Sequence, residues 1–154
     1  MPRNQFLVAG LVFNENGQIL MIKHKKKGKW LPPGGHADEN ELPSIAAARE
    51  VLEETGIHVQ VLSSVPGLDL IGGVARELPL PLRIMHVDTD GTGFQNYIDL
   101  IYLCIAKNTD TIPQEDEVDD IGWFSIEDAV KLDTYEDVIK TIESAKGHRM
   151  LIAV

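Results

Sequence analysis

Residues Gly35 to Ile57, GHADENELPSIAAAREVLEETGI, decide how the rest of the chain is read. The second half of this stretch sets Glu50, Glu53 and Glu54 at i, i+3 and i+4. At about 100° per residue, Glu53 and Glu54 each fall within roughly 60° of Glu50 on a helix. Like charges this close destabilise a helix by roughly a few tenths of a kcal/mol per pair. A divalent cation would offset that cost. A solvated acidic face is the plain alternative, and the triplet alone does not choose between them. The helix is expected to start at Ser44, an N-cap after Pro43, and to run to about Thr55, with Gly56 closing it at a C′ position. Ile45, Ala46, Ala48, Val51 and Leu52 supply its apolar faces.

Before the helix lies Trp30-Leu-Pro-Pro-Gly-Gly-His36. Two prolines preclude a regular helix there, and two glycines let the backbone approach a ligand closely. The segment His24–Lys29, HKKKGK, is a basic cluster in an acidic chain; it could attract phosphates or be a solvated loop. Phe6–Phe13 and Gln18–His24 read as strands joined by a hairpin at Asn16-Gly17. After the helix, a strand is expected over residues 57–65, then an irregular connection from Pro66 to Pro81. Strands follow at Arg83–Val87 and Tyr97–Ala106, with the turn-rich Asp88-Thr-Asp-Gly-Thr-Gly between them. Asn108–Asp120 is an acidic surface loop, and Ile121–Ser125 a short strand ending on a cap at Ser125. Helices near Ile126–Leu132 and Tyr135–Lys146 complete the order. The apolar tail, Met150–Val154, is expected to dock on the body or on a partner. Long apolar runs rather than clean alternation indicate strands covered on both faces, as in a layered α/β domain.

The chain has 154 residues, which is most simply one domain spanning 1–154, with 44% hydrophobic and 25% charged residues. A formal charge of −10 argues against non-specific binding to nucleic acid, although a metal can still bring phosphates to an acidic site. Cys104 is the only cysteine, so no intramolecular disulfide and no paired-cysteine zinc site can form; within an apolar run it reads as core filler. MPRNQFLVAG lacks a signal-peptide core, and no apolar stretch is long enough to span a membrane, so a cytoplasmic setting is expected.

The central stretch resembles the Nudix hydrolase signature: Gly35, five residues, Glu41, seven residues, then Arg49-Glu50-Val51-Leu52-Glu53-Glu54-Thr55-Gly56-Ile57. Nine specified positions match at their spacings, and the box spans residues 35–57. Trp30-Leu-Pro-Pro-Gly-Gly is similar to the family's usual lead-in, and Gly122-Trp123-Phe124-Ser-Ile-Glu-Asp to its late strand and helix start. The resemblance implies an α/β/α sandwich around a curved, mixed sheet, the Nudix fold. It implies hydrolysis of a pyrophosphate bond in a nucleotide or a nucleoside diphosphate linked to another moiety, with Mg2+ or Mn2+. It further implies Glu50 and Glu54 as first-choice metal ligands, Glu53 beside them, and the Gly35 carbonyl as a further ligand. Glu41 and Arg49 are implied as a pair that links loop to helix and orients the following carboxylate. The general base is a box glutamate or an acid of a distant loop; among Glu115, Asp116 and Glu117, Glu117 is favoured. Family members are often dimers, so a homodimer is compatible with the resemblance.

Substrate choice is less legible. The proline and tyrosine linked to ADP-ribose and diadenosine polyphosphate subfamilies would fall near Gly72–Val74, where neither stands. The aromatic and proline run of the NADH pyrophosphatases is also missing. A nucleoside triphosphate, oxidised or non-standard, is therefore the first subclass to test, ahead of ADP-ribose and nucleotide sugars. A silent ligand-sensing module and a structural calcium domain are the readings from other classes. The intact box opposes the first, and the want of an Asp/Asn-rich calcium loop opposes the second. His36 and His86 could contact phosphate; Trp30 and Trp123 read as packing anchors; Phe94 and Tyr97 could line a base or sugar pocket.

Overall fold

The computed structural model describes residues 5–88, 91 and 96–148. Phe94 and the tail at Met150–Val154 lie outside the described residues. At the centre, β1 (Gln5–Phe13) and β7 (Asn96–Ala106) pair in parallel from Gln5↔Tyr97 to Phe13↔Ile105. Both strands are apolar on both faces over most of that length, so each face must be covered.

The turn after β1 is set by Asn14. Its Oδ1 accepts the backbone N–H of Asn16 at 3.0 Å and of Gln18 at 2.9 Å, and Gly17 takes φ 72°. This returns β2 (Ile19–His24) antiparallel to β1, as the Asn-Gly pair indicates. The proline–glycine segment, expected to be loop, contains two short strands: β3 (Trp30–Leu31) on β2 and β4 (Gly34–His36) on β1. Gly34 permits the second, because a side chain there would collide with the Val8 carbonyl oxygen. Two further strands, β5 (Val59–Leu62) and β6 (Arg83–Asp88), lie end to end along the far edge of β7, while β8 (Val118–Phe124) pairs with β2.

Helix α1 (Pro43–Thr55) covers one face, through Ala46, Ala47 and Val51 packed on Val8, Val12, Leu100, Tyr102 and Cys104. The helix runs so close to β1 that a methyl group on Gly10 would lie 2.7 Å from Val51. The opposite face carries α2 (Ile126–Ala129) and α3 (Glu136–Ser144), with Ala129 and Ile142 against Leu11, Phe13, Ile101 and Leu103. The result is a mixed sheet between helical layers.

Element ends differ from expectation for local reasons. The N-cap of α1 is Leu42, not Ser44; Pro43 takes the first helical position, where its fixed φ fits, and Ser44 is buried one residue inside. Ser125 does cap α2, accepting the Asp128 N–H at 3.1 Å. The strand expected over 57–65 stops at Leu62 because Ser63 and Ser64 turn away to bond Leu80 and Pro81. Cys104 is buried, and burial pushes its thiol up to about 12, which fits filler rather than a nucleophile.

Asp99 is the one acid in the middle of β7, and its half-buried carboxyl is pushed up to about 6 by desolvation and then by Asp137, with Lys27 opposing. A folded-state value above the unfolded 3.8 means the folded chain holds this proton more tightly. The associated stability is fully present below the unfolded value and is lost as pH rises through about 6. Asp99→Asn is therefore expected to gain roughly 2–3 kcal/mol over wild type at pH 7.5 and little at pH 4. Urea denaturation at the two pH values checks this; an equal gain at both would contradict it.

Candidate functional site

The site forms where β4 meets α1. Arg49 is its fulcrum: Nε donates to Glu41 Oε2 at 2.9 Å and Nη2 to Glu41 Oε1 at 3.0 Å, a two-point clasp between the loop and the helix. Nη2 also reaches the His36 carbonyl at 3.1 Å. Nη1 donates to Glu50 at 3.0 Å and to both oxygens of Glu53 at 3.2 Å. Glu41 additionally accepts the Asp38 N–H at 3.0 Å, and the Arg49 bond holds its carboxyl below the usual range.

Gly35 and Glu50 are in direct apposition. A Cβ on Gly35 would sit 2.6 Å from the Glu50 carboxyl carbon, so only glycine leaves room for that carboxylate against β4. Burial raises the proton affinity of Glu50, Arg49 opposes it, and Glu53 and Glu117 add to the rise. Glu54 is the deepest of the three, with 1% of its surface exposed. Its Oε1 accepts the Gly34 N–H at 2.7 Å. Desolvation still pushes its carboxyl up to about 8, and the neighbouring Glu50 and Glu117 add to the rise. Glu53 is half-exposed and paired with Arg49.

The three box glutamates thus have three different environments. Among the described residues, no three acidic, histidine or cysteine groups converge as a ready-made metal cage. Glu117 does lie close enough to raise the proton affinity of both Glu50 and Glu54, and is within hydrogen-bonding reach of Glu54.

The acidic loop reaches the helix through contacts that the sequence reading missed. Backbone N–H groups of Ile112 and Gln114 donate to the carbonyls of Thr55 at 2.8 Å and Glu54 at 3.0 Å. Asn108 Nδ2 donates to the Gly56 carbonyl at 3.1 Å, and its Oδ1 accepts the His58 N–H at 2.7 Å. The last carbonyls of a helix lack intrahelical partners, and this loop supplies them. Lys25 fixes the other side, through its N–H on the Glu117 carbonyl at 2.9 Å and Nζ on the Glu115 carbonyl at 2.7 Å. The available signal was the Asn108 and Trp123 pair of anchors, since Trp123 Nε1 donates to Thr109 at 3.2 Å. Neither has a diagnostic spacing.

Other singled-out residues fall elsewhere. His86 bonds Asn96 at 2.8 Å, and Trp30 packs edge-on against Phe124 with ring centres 5.2 Å apart. His36 and Tyr97 form a second edge-on pair at 5.9 Å. A separate open cavity of about 570 Å3, lined in part by Leu68, Leu70, Arg76 and Leu78, lies between β5 and β6 and holds none of the box residues. No helix among the described residues is long and apolar enough to cross a membrane.

With the box geometry in place, the family model for the NUDIX domain matches residues 3–144. The chain belongs to the Nudix family. Over 60 residues it is 45% identical to a MutT-like protein of Streptomyces ambofaciens, a match covering 39% of each chain. It is 29% identical over 129 residues to the phosphatase NudJ of Shigella boydii, covering 81% of this chain and 71% of that one. An 8-oxo-dGDP phosphatase of Danio rerio matches at 34% over 61 residues, 38% of this chain and 19% of its own length. Among solved structures, a Nudix-family hydrolase from Clostridium perfringens superposes with a TM-score of 0.74 at 25% identity, over 93% of this chain and 97% of that one. A C. elegans Ap4A hydrolase shares the fold at TM-score 0.74 and 17% identity, over 96% and 99% of the two chains.

The Gly35–Glu50 apposition has a direct structural test. Gly35→Ala is expected to destabilise the protein by about 1–3 kcal/mol, the usual range for overpacking. Urea denaturation reads the loss, and a variant as stable as wild type would mean that β4 and Glu50 can separate freely.

Proposed function

We propose that this Nudix chain hydrolyses a pyrophosphate bond in a nucleotide or nucleoside diphosphate-linked compound, with Mg2+ or Mn2+ at the box glutamates. The supporting observation is Glu54, buried beside Glu50 and Glu117 with its carboxyl pushed up to about 8. Clustered, desolvated carboxylates are costly unless protonated or bound to a cation. The donors are all oxygens, which suits magnesium or manganese. Such an ion, when bound, neutralises phosphate charge and lowers the pKa of its water.

The residues take distinct roles in this reading. Glu50 and Glu54 are the principal ligands, Glu53 a peripheral one, and the Gly35 carbonyl the backbone contribution. Arg49 and Glu41 position rather than react: their two-point bond fixes the loop, and Nη1 steers Glu50. Glu117 stands against Glu54 on a loop pinned from both sides and is our choice to take the proton of the attacking water.

A nucleoside triphosphate or an oxidised guanine nucleotide is the substrate class we would test first, the second in keeping with the name of the 8-oxo-dGDP phosphatase among the relatives. The match covers 39% of the length of the Streptomyces relative, and the activity is therefore proposed from the site as well as from kinship.

A panel of nucleoside triphosphates, oxidised guanine nucleotides, ADP-ribose and nucleotide sugars, incubated with Mg2+ or Mn2+ and assayed for phosphate and pyrophosphate, tests the reading. Hydrolysis of at least one is expected. Binding of one without any turnover would instead indicate a sensing module. On the substrate found, Glu50→Gln is expected to lower kcat at least about a hundredfold at saturating metal with the fold intact. Near-normal kcat would remove Glu50 from the ligand set. Arg49→Lys keeps the charge but loses the fork, and an about 10–100-fold loss is expected. Wild-type kinetics from it would remove the positioning role.

A further inference from the structure

We propose that Lys25 is a positioning residue: its ammonium tethers the turn that carries Glu117 and so holds that carboxylate where it can take a proton. This rests on the role given to Glu117 above and names what keeps it in place. The turn is Gln114-Glu115-Asp116-Glu117. Its internal bonds are backbone, the Gln114 carbonyl accepting the N–H of Glu117 at 3.2 Å and of Val118 at 2.9 Å. The Gln114 N–H bonds the Glu54 carbonyl, which fixes the near end of the turn on α1. Lys25 supplies the two remaining ties, its N–H to the Glu117 carbonyl and its Nζ to the Glu115 carbonyl. At 2.7 Å the Nζ bond is the shorter of these two, and its donor is charged.

The choice of acceptor matters. Lys25 approaches a turn that carries three carboxylates, yet among the described residues its ammonium forms no ion pair. Bound to a carbonyl, it holds the backbone and leaves Glu117 without a cationic partner. A proton acceptor needs that freedom. The bond also separates Lys25 from the rest of the basic cluster, because a carbonyl of the chain itself occupies its ammonium.

A tether positions its load only if its own footing is rigid. Lys25 follows β2 directly, and the turn it opens is closed on both sides of the chain. The His24 N–H bonds the Lys29 carbonyl at 2.9 Å, and the Gly28 N–H bonds the His24 carbonyl at 2.8 Å. Lys29 is itself held by Asp133 at 2.6 Å. The β2–β8 ladder shifts register between Lys23 and His24, and such irregularities re-aim the residues beside them. Glu50 and Glu54, by contrast, take their positions from Arg49 and Gly34, which Lys25 does not touch. Loss of the tether should therefore affect the proton acceptor and spare metal and nucleotide binding. A displacement of about 1 Å is enough to slow a reaction by up to roughly a hundredfold.

Lys25→Met removes the ammonium and keeps the backbone N–H, so the pairing of β2 with β8 is preserved. On the substrate found above, kcat is expected to fall about tenfold, with KM and the half-saturating Mg2+ concentration within about twofold of wild type. Lys25→Arg, which can still donate to the Glu115 carbonyl, should recover most of the rate. A raised KM with normal kcat would make Lys25 a phosphate contact and overturn the proposal. A lower melting temperature with normal kcat would overturn it too, as the mark of a structural tie alone. Glu117→Gln separates the two readings: a wild-type rate from it removes Glu117 as the proton acceptor, and the proposal with it. If that variant is slow, adding Lys25→Met should slow it no further, since both changes act through one carboxylate. Losses that multiply would show that Lys25 acts by another route. Amide hydrogen exchange needs no substrate. In Lys25→Met the amides of Gln114, Glu117 and Val118 should exchange at least about threefold faster, with Val51 of α1 unchanged. If no nucleotide is hydrolysed, the hydrolase reading fails, and exchange judges the tether by itself. Faster exchange confined to the turn would uphold it, whereas equal rates in both proteins would end it.

Discussion

One guanidinium ties the loop, the strand and the helix of the box together. Arg49 grips both oxygens of Glu41, the His36 carbonyl, Glu50 and Glu53. Each bond alone would be modest at a partly exposed position. Collectively they fix where β4 stands relative to α1. That separation decides whether a carboxylate can lie against Gly35, and so how Glu50 and Glu54 are presented. A planar fork suits this task because its donors are held in fixed directions, which an ammonium on a flexible stem does not provide.

The helix end is the second constraint. The carbonyls of Glu54, Thr55 and Gly56 accept from Gln114, Ile112 and Asn108, so the acidic loop is in effect the C-terminal cap of α1. Since the cap bonds are mostly backbone, the loop follows the helix whatever side chains it carries. Glu117 arrives beside Glu54 as a consequence of capping. The same contact explains why a strongly acidic loop tolerates placement next to buried carboxylates: its backbone is satisfied there, whereas its charge is not. That unresolved charge is what a cation would meet.

The sequence made the box and the order of elements legible, because both rest on local signals. Asn-Gly in a turn, Gly56 after a helix and Ser125 before one act within a few residues, and the structure has all three. What was illegible depended on contacts between distant segments. The short strands β3 and β4 exist only because β2 and β1 are beside them, and nothing in Trp-Leu-Pro-Pro-Gly-Gly announces pairing. Ser44 looked like a cap, but Pro43 fits the first helical turn and leaves Ser44 inside. The three glutamates looked equivalent from helical spacing, whereas their burial is set by what packs on each. Glu53 meets solvent and Arg49; Glu54 meets Gly34 and the acidic loop.

The connection between β5 and β6 leaves and rejoins the sheet through one latch. Ser64 donates its N–H to Leu80 and its hydroxyl to Pro81, while Leu80 donates to the Ser63 hydroxyl. Beyond the latch, Leu68, Ile71 and Val74 are exposed, and the fold's two cores do not include them. Loop-closure entropy grows only with the logarithm of length. Segments of quite different length could therefore be spliced between Ser64 and Leu80 with little cost to the sheet, which makes this the natural place for the scaffold to accept a graft.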